Sequence, residues 1–377
     1  SDLFYKNLLN FKPHIDYLKN NRKFNDDTIS HFTMGSTANF SIIQKKLLSE
    51  FELKELIVAG LFNKNQNSKL FFMNRIMVPI VNLQNRVLGF GARVIDQSLP
   101  KYINTSETKV FKKKQILFNE KILNKHANKK LILVEGYFDV IKLHQSGIQN
   151  CIAPLGTAIN HEKLIELTKK GFEIIVCLDG DTAGRNASIR LMNNLLSSEN
   201  FELGIKFVLL PKNYDPDLLL DSNLKEQLNK LLDNPLNIEQ LIEKYLEKYN
   251  YSQNIDEKFK GSKILKNLLN TVANKDLKKI LNDYFSEIKK SQNYKPKRNT
   301  SINSQIEIKN DLKSKFSAAL IIFFIENPSS RERVFDLIAT AKFDKKFKEI
   351  RDQIIKKTLF KSSSIEIYEL LDSKGLN

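Results

Sequence analysis

Between residues 129 and 211, short apolar runs alternate with amphipathic ones, and no other feature of the chain constrains its fold so strongly. Leu131, Ile132, Leu133 and Val134 predict a short strand that stops at Glu135-Gly136-Tyr137. A helix is expected over 140–146, with Gly147 as its C-terminal stop. A second strand over 151–153 ends at Leu155-Gly156-Thr157, and the helix expected over 161–169 is ended by Gly171. The most β-branched run, 173–178, ends at Asp179-Gly180-Asp181. A helix over 183–196 and a strand over 205–210 follow, the latter ending at Pro211. Strands that are apolar throughout must be covered on both faces, so this pattern predicts a largely parallel sheet between helices, an α/β fold. Ligands of such sheets sit beyond the carboxyl ends of the strands. Acidic residues stand at three of those ends.

The flanking sequence changes period. Helices are expected over 4–21, 26–31 and 40–51, followed by a hairpin of 75–81 with 87–94 around a polar turn at 82–86. This gives a mixed α+β amino-terminal subdomain over 1–118 and the parallel-sheet core over 119–235. A helical subdomain follows over 236–290, with helices near 238–249, 258–272 and 276–288. Residues 291–303 are polar and basic, the composition of a linker, and 304–377 read as a further helical segment with helices at 311–326, 330–340 and 345–359. No repeat of 20–50 residues is visible.

At 377 residues the chain is long enough for several cores. Its longest apolar run, 318–325, is far short of the ~20 residues a bilayer demands, and membrane partners are not expected. Residues 1–10 lack the features of a secretory signal, and Ser1 in place of Met implies a start inside a longer protein. Cys151 and Cys177 each lie in an apolar stretch and read as buried reduced thiols, in keeping with a cytoplasmic location. No Cys/His cluster has zinc spacing. A net charge of +17 favours polyanionic partners, although lysine is abundant everywhere and much of it decorates a solvated surface.

The acids carry the chemistry. Glu135 follows the first strand, with Asp139 one helical turn later; Asp179 and Asp181 flank Gly180; Asp215 and Asp217 flank Pro216. Taken singly, each is as readily a helix cap or a turn residue. In order within one α/β unit they form a candidate cation-binding rim, because converging carboxylates repel unless protonated or neutralised. Mg²⁺ takes hard oxygen ligands, and two ions about 3.5–4 Å apart can activate a hydroxyl and stabilise a leaving pyrophosphate. Gly136 and Gly180 are expected to permit tight turns that bring backbone close to a ligand.

These motifs resemble the Toprim domain shared by primases, topoisomerases and some nucleases. Glu135-Gly136-Tyr137-Phe138-Asp139, Leu155-Gly156-Thr157, Asp179-Gly180-Asp181-Thr182-Ala183-Gly184 and Asp215-Pro216-Asp217 each look like a Toprim motif. A topoisomerase would need a strand-cleaving tyrosine in an additional domain, a nuclease would degrade DNA without nucleoside triphosphates, and a non-catalytic binder would not need the full acidic set. The segments Arg75–Ile80, Arg86–Arg93, Pro100–Thr108 and Phe111–Lys113 are similar to those of bacterial replicative primases specifically, and the resemblance spans roughly 1–290.

The resemblance implies a nucleotidyltransferase that lays short RNA primers on single-stranded DNA from ribonucleoside triphosphates, yielding an RNA–DNA hybrid at the replication fork. It implies Glu135, Asp179 and Asp181 as catalytic, and these three with Asp215 and Asp217 as ligands of Mg²⁺, with Mn²⁺ as a substitute. Arg22, Arg93, Lys101, Tyr102 and Lys113 would contact nucleotide or DNA, with Asp139, Gly136 and Gly180 in support. The family's zinc-binding domain is not represented, so no zinc is expected in this fragment; 304–377 stand where the family carries its helicase-interacting domain. Two departures are visible: Gly91-Ala92-Arg93 replaces a usual Gly-Gly-Arg, and the spacing before Arg22 is one residue longer than the family pattern.

Overall fold

The computed structural model describes residues 1–63, 69–124, 129–156, 159–222, 224–250 and 254–293, with isolated positions at 321, 324, 338, 347, 351 and 352. It divides into two compact units, Ser1–Lys289 and Lys290–Asn377.

In the first unit the amino-terminal part opens with α1 (Asp2–Leu9), α2 (Lys12–Asp16), a π-helical turn (Tyr17–Asn21) and α3 (Asp26–His31). The single helix expected over 4–21 is thus three pieces. Pro13 explains the restart, since a proline lacks the N–H that the first turn of a helix leaves unpaired anyway. After β1 (Gly35–Ser36), α4 (Phe40–Glu50) and α5 (Leu53–Val58) come β2 (Ile76–Val81), β3 (Val87–Arg93) and β4 (Tyr102–Asn104). These strands form an antiparallel sheet in the order β1-β2-β3-β4, with the expected hairpin at its centre.

The second sheet holds β5 (Leu117–Phe118), β6 (Lys130–Leu133), β7 (Cys151–Pro154), β8 (Glu173–Leu178) and β9 (Ile205–Leu209) in the order β5-β7-β6-β8-β9. All pairings are parallel except that of β5 with β7. The connecting helices are α6 (Tyr137–Gln145), α7 (His161–Lys169) and α8 (Thr182–Leu196). Side chains alternate between two cores: Leu131, Leu133, Ile174, Val176 and Phe207 face one, whereas Ile132, Val134, Ile175, Cys177 and Val208 face the other. Both faces are therefore buried, the condition that parallel strands require. Because the chain passes from β7 across β6 to β8, the order reverses beside β6, and the crevice of such a sheet opens beyond the carboxyl ends of β6 and β8.

Helices α9 (Pro216–Asp221) and α10 (Lys225–Asp233) follow β9, and α11 (Ile238–Asn250), α12 (Ile255–Thr271) and α13 (Lys275–Asn293) complete the unit. In the second unit Ile321, Phe324, Ile338 and Phe347 are buried; α13 runs on to Asn293, into the linker expected from 291, and the rest of that linker and the helices expected beyond it lie otherwise outside the described residues.

Candidate active site

The acidic rim is built at the ends of β6 and β8. Glu135 Oε1 accepts the backbone N–H of Asp179 at 3.1 Å. Asp139, one turn into α6, accepts the Gly136 N–H on Oδ2 at 2.9 Å, which closes the start of that helix. Burial, and then the charges of Glu135, Asp139, Asp215 and Asp181, push the Asp179 carboxyl up to about 8. Burial followed by Asp215 and Asp217 raises Asp139 to about 7, and burial followed by Asp181 and Asp215 raises Glu135. Such mutual elevation is the signature of acids that lack a compensating charge.

The structure divides the expected ligand set. Asp181 caps α8 by accepting the Gly184 N–H at 2.8 Å, and Asp215 caps α9 by accepting the Leu218 N–H at 2.6 Å. Asp217 is paired with cations: Arg22 Nη1 lies 2.9 Å from its Oδ2 and Lys142 Nζ lies 3.3 Å from its Oδ1. Among the described residues no three acids close into a ready coordination shell. Among the described acids, two buried oxygens have no hydrogen bond, Asp179 Oδ1 and Asp217 Oδ1, and only the second lies beside a cation. An orphaned carboxylate oxygen among raised acids fits a hard divalent cation.

Neither predicted glycine owes its place to a left-handed backbone, because neither is among the positive-φ residues. Gly180 is required by packing: a Cβ there would fall on the carbonyl oxygen of Pro211. The Gly180 N–H donates to Tyr214 O at 2.8 Å, and Arg185 Nη2 donates to Leu210 O at 3.2 Å, so the turn after β8 is locked to the one after β9. At Gly136 a Cβ would meet Asp139 Oδ2 at 3.1 Å, tight but not excluded.

The amino-terminal sheet supplies the opposite wall. Arg93, Lys101, Tyr102 and Asn104, together with Arg22, line a cleft of about 580 Å³ whose other side is Glu135, Asp139, Asp179, Asp215 and Asp217. Arg93 donates to the Tyr102 hydroxyl, and its guanidinium lies over the rings of Tyr102 (4.8 Å), Phe138 (5.3 Å) and Tyr17 (5.6 Å). Burial and then Arg22 lower the Arg93 pKa; Arg93, then burial and Arg22, lower that of Lys101. Cations that depress one another attract an anion. Arg75 holds this wall in place by donating to Pro100 O at 2.9 Å. Gly91 leaves room for the Tyr137 ring, where a Cβ would lie 2.8 Å from ring atoms, while Ala92 is fully buried in the core beside Phe90.

Arg22 reaches the cleft from the π-helical turn, whose wide i→i+5 bond runs from the Arg22 N–H to Tyr17 O at 3.1 Å. A π turn absorbs one additional residue, which matches the longer spacing there. Lys113 is not in the cleft lining; its backbone N–H donates to Glu107 Oε1 at 3.0 Å. Asp181, which is exposed, and Gly180 are likewise not among the residues that line the cleft. Thr157 lies outside the described residues. Sequence reasoning passed over Tyr17, Phe138 and Lys142; an aromatic ring or a lysine within a helix carries no local signal.

Comparison with known proteins bears on this arrangement. Residues 4–124 match the model of the DNA primase catalytic core, N-terminal domain, and residues 129–205 match that of the Toprim domain. The DNA primase of Rickettsia prowazekii (strain Madrid E) is 37% identical over 271 residues, 71% of this chain and 46% of the relative. The chain belongs to the bacterial DNA primase family. It spans about half the length of the curated relatives it matches. Its fold is similar to that of the Aquifex aeolicus primase (zinc binding and RNA polymerase domains), with a TM-score of 0.64 and 27% identity over 78% of this chain and 70% of that one. It is likewise similar to a DnaG primase catalytic domain bound to ssDNA, with a TM-score of 0.60 and 26% identity over 74% of this chain and 89% of that one. In this primase-family chain the boundary between the two matched models falls between β5 and β6, so the cationic wall lies within the first match and Glu135, Asp139 and Asp179 within the second, with Asp215 and Asp217 beyond it.

Proposed function

We propose that this chain is the RNA-polymerising core of a primase, which joins ribonucleoside triphosphates into a short RNA primer on single-stranded DNA. The observation that carries the reading is one cleft with two unlike walls, orphaned carboxylates facing clustered cations. The carboxylates of Glu135, Asp179 and Asp181, with Asp215 beside them, would hold Mg²⁺, or Mn²⁺ in its place. When bound, the metal polarises phosphate oxygens and lowers the pKa of the attacking 3′-hydroxyl. Arg93 and Lys101 compensate the triphosphate and the template backbone, and Tyr102 offers a ring for a base or sugar. Asp139 holds the Gly136 turn so that Glu135 stays aimed at Asp179. Arg22 adds charge where template and product pass, and Lys113 is assigned to DNA outside the cleft. The product would be an RNA–DNA hybrid. A cytoplasmic place at the replication fork, with 304–377 toward the helicase, accords with the family.

Incorporation of labelled ribonucleotides on a single-stranded template is the test. Mg²⁺-dependent products of a few to tens of nucleotides are expected. Template degradation without nucleotide incorporation would instead indicate a nuclease.

A further inference from the structure

Lys142 stands on α6, seven residues past Glu135 in the chain and outside the motif that carries the family resemblance. Its residue is only 5% exposed, and a buried ammonium is costly unless each N–H finds an acceptor. Asp221 Oδ1 lies at 2.7 Å and the Arg22 carbonyl oxygen accepts a hydrogen bond at 3.1 Å, while Asp217 Oδ1, at 3.3 Å, is held as an ion pair without a hydrogen bond. The other oxygen of Asp217 belongs to Arg22, whose guanidinium also stacks on Phe138 at 5.0 Å.

One carboxylate therefore serves two cations, and Lys142 grips Arg22 at both ends, by its carbonyl and through the partner of its guanidinium. The rest of the neighbourhood reinforces the grip on residues 22–25. Gln145, on the same helix, donates to Lys23 O and accepts the Asn25 N–H, both at 2.8 Å, and Lys23 pairs with Asp221 at 3.0 Å. A staple between subdomains would need only these outer contacts. The Lys142–Asp217 contact does something else. If Asp217 met Arg22 alone, the two would form a closed neutral pair, and the cleft would lose most of the Arg22 field. With Lys142 shared between Asp217 and Asp221, and Lys23 also on Asp221, three cations meet two carboxylates, so Asp217 fixes the guanidinium in place while the cluster keeps a net positive charge.

We propose that Lys142 is a positioning residue: through Asp217 it sets both the orientation and the effective charge with which Arg22 meets the nucleic-acid backbone. In this arrangement Asp217 acts as a counter-ion to two cations. The inference rests on the cleft being a nucleic-acid site, as proposed above.

Binding of a fluorescent single-stranded DNA oligonucleotide, measured by anisotropy without nucleotides or metal, tests it. Lys142→Met and Arg22→Ala are each expected to weaken binding about tenfold, and the double variant no further than either alone, because they act along one route. Lys142→Arg should restore binding. Lys142→Met binding like wild type would overturn the proposal, as would losses that multiply in the double variant. Should Lys142→Met not fold, Lys142→Gln takes its place, and a folded Lys142→Arg that still binds tenfold more weakly overturns the idea as well. A wild-type chain that bound no DNA would contradict the proposed function itself and take this inference with it.

Discussion

The carboxylate of Glu135 accepts a hydrogen bond from the backbone of Asp179 at 3.1 Å, joining the ends of β6 and β8 across 44 residues of chain. Burial raises both carboxyls, with the Glu135 charge adding to the rise at Asp179 and the charges of Asp181 and Asp215 adding to that at Glu135. Such an arrangement sacrifices stability for a place where positive charge can be received.

Asp179→Asn separates these two consequences. Asparagine mimics the protonated carboxyl that a pKa of about 8 favours, so the metal-free variant should melt at the same temperature as wild type or slightly above it. Ribonucleotide incorporation should fall by roughly 10²–10³, the usual cost of losing a buried electrostatic contact to the transition state. Calorimetry beside a primer-synthesis assay checks both; a variant that is destabilised yet active would contradict the role given to Asp179.

Arg93 is framed by three aromatic rings, so its shape should matter as well as its charge. Arg93→Lys keeps the charge but loses the planar stack and should cost about 1 kcal/mol in single-stranded DNA affinity with the salt dependence intact. Arg93→Ala should also flatten the slope of log affinity against log salt by about one. Anisotropy titrations across a salt series distinguish the two.

Much of this was legible in the sequence, for reasons that individual residues make clear. The runs 131–134 and 174–178 are apolar on both faces, which only a doubly covered strand tolerates, and the acids follow those strands directly. The hairpin of β2 and β3 was equally plain. Helix α9 was not, because Asp215-Pro216, read as part of a cation-binding motif, is also an N-cap followed by proline at the first helical position. Nor was the division of Asp217 from the other acids, since its partners Arg22 and Lys142 lie 195 and 75 residues away and no local pattern announces them. Pairing across such distances is decided by tertiary packing alone.

His14 should make the fold sensitive to mild acid. It is buried, and its Nδ1 shares a hydrogen bond of 2.8 Å with Ser36 Oγ, which also accepts the Ala38 N–H. Burial lowers its pKa to about 4, against a small opposing effect of Asp96. Above pH ~6.5 the ring is neutral in folded and unfolded states alike; below it the unfolded chain takes up the proton first, so stability falls as pH falls toward 4. Between pH 7.5 and 5 wild type should lose roughly 2 kcal/mol more than His14→Gln in chemical denaturation. A difference between the two proteins that does not change with pH would remove His14 from this account.

Gly180→Ala tests the packing reason for the glycine between the two aspartates. The added methyl must displace the Pro211 carbonyl, a backbone atom, so the variant should lose about 2 kcal/mol of stability together with activity. Were the glycine present for ligand approach alone, the melting temperature would not move.

The most direct measurement is the anomalous scattering of Mn²⁺ in a crystal of this chain grown with a non-hydrolysable ribonucleoside triphosphate. Metal peaks are expected beside Glu135 and Asp179, with the triphosphate between them and Arg93 and Lys101. Metal bound elsewhere on the molecule, or a triphosphate away from the cationic wall, would contradict the account.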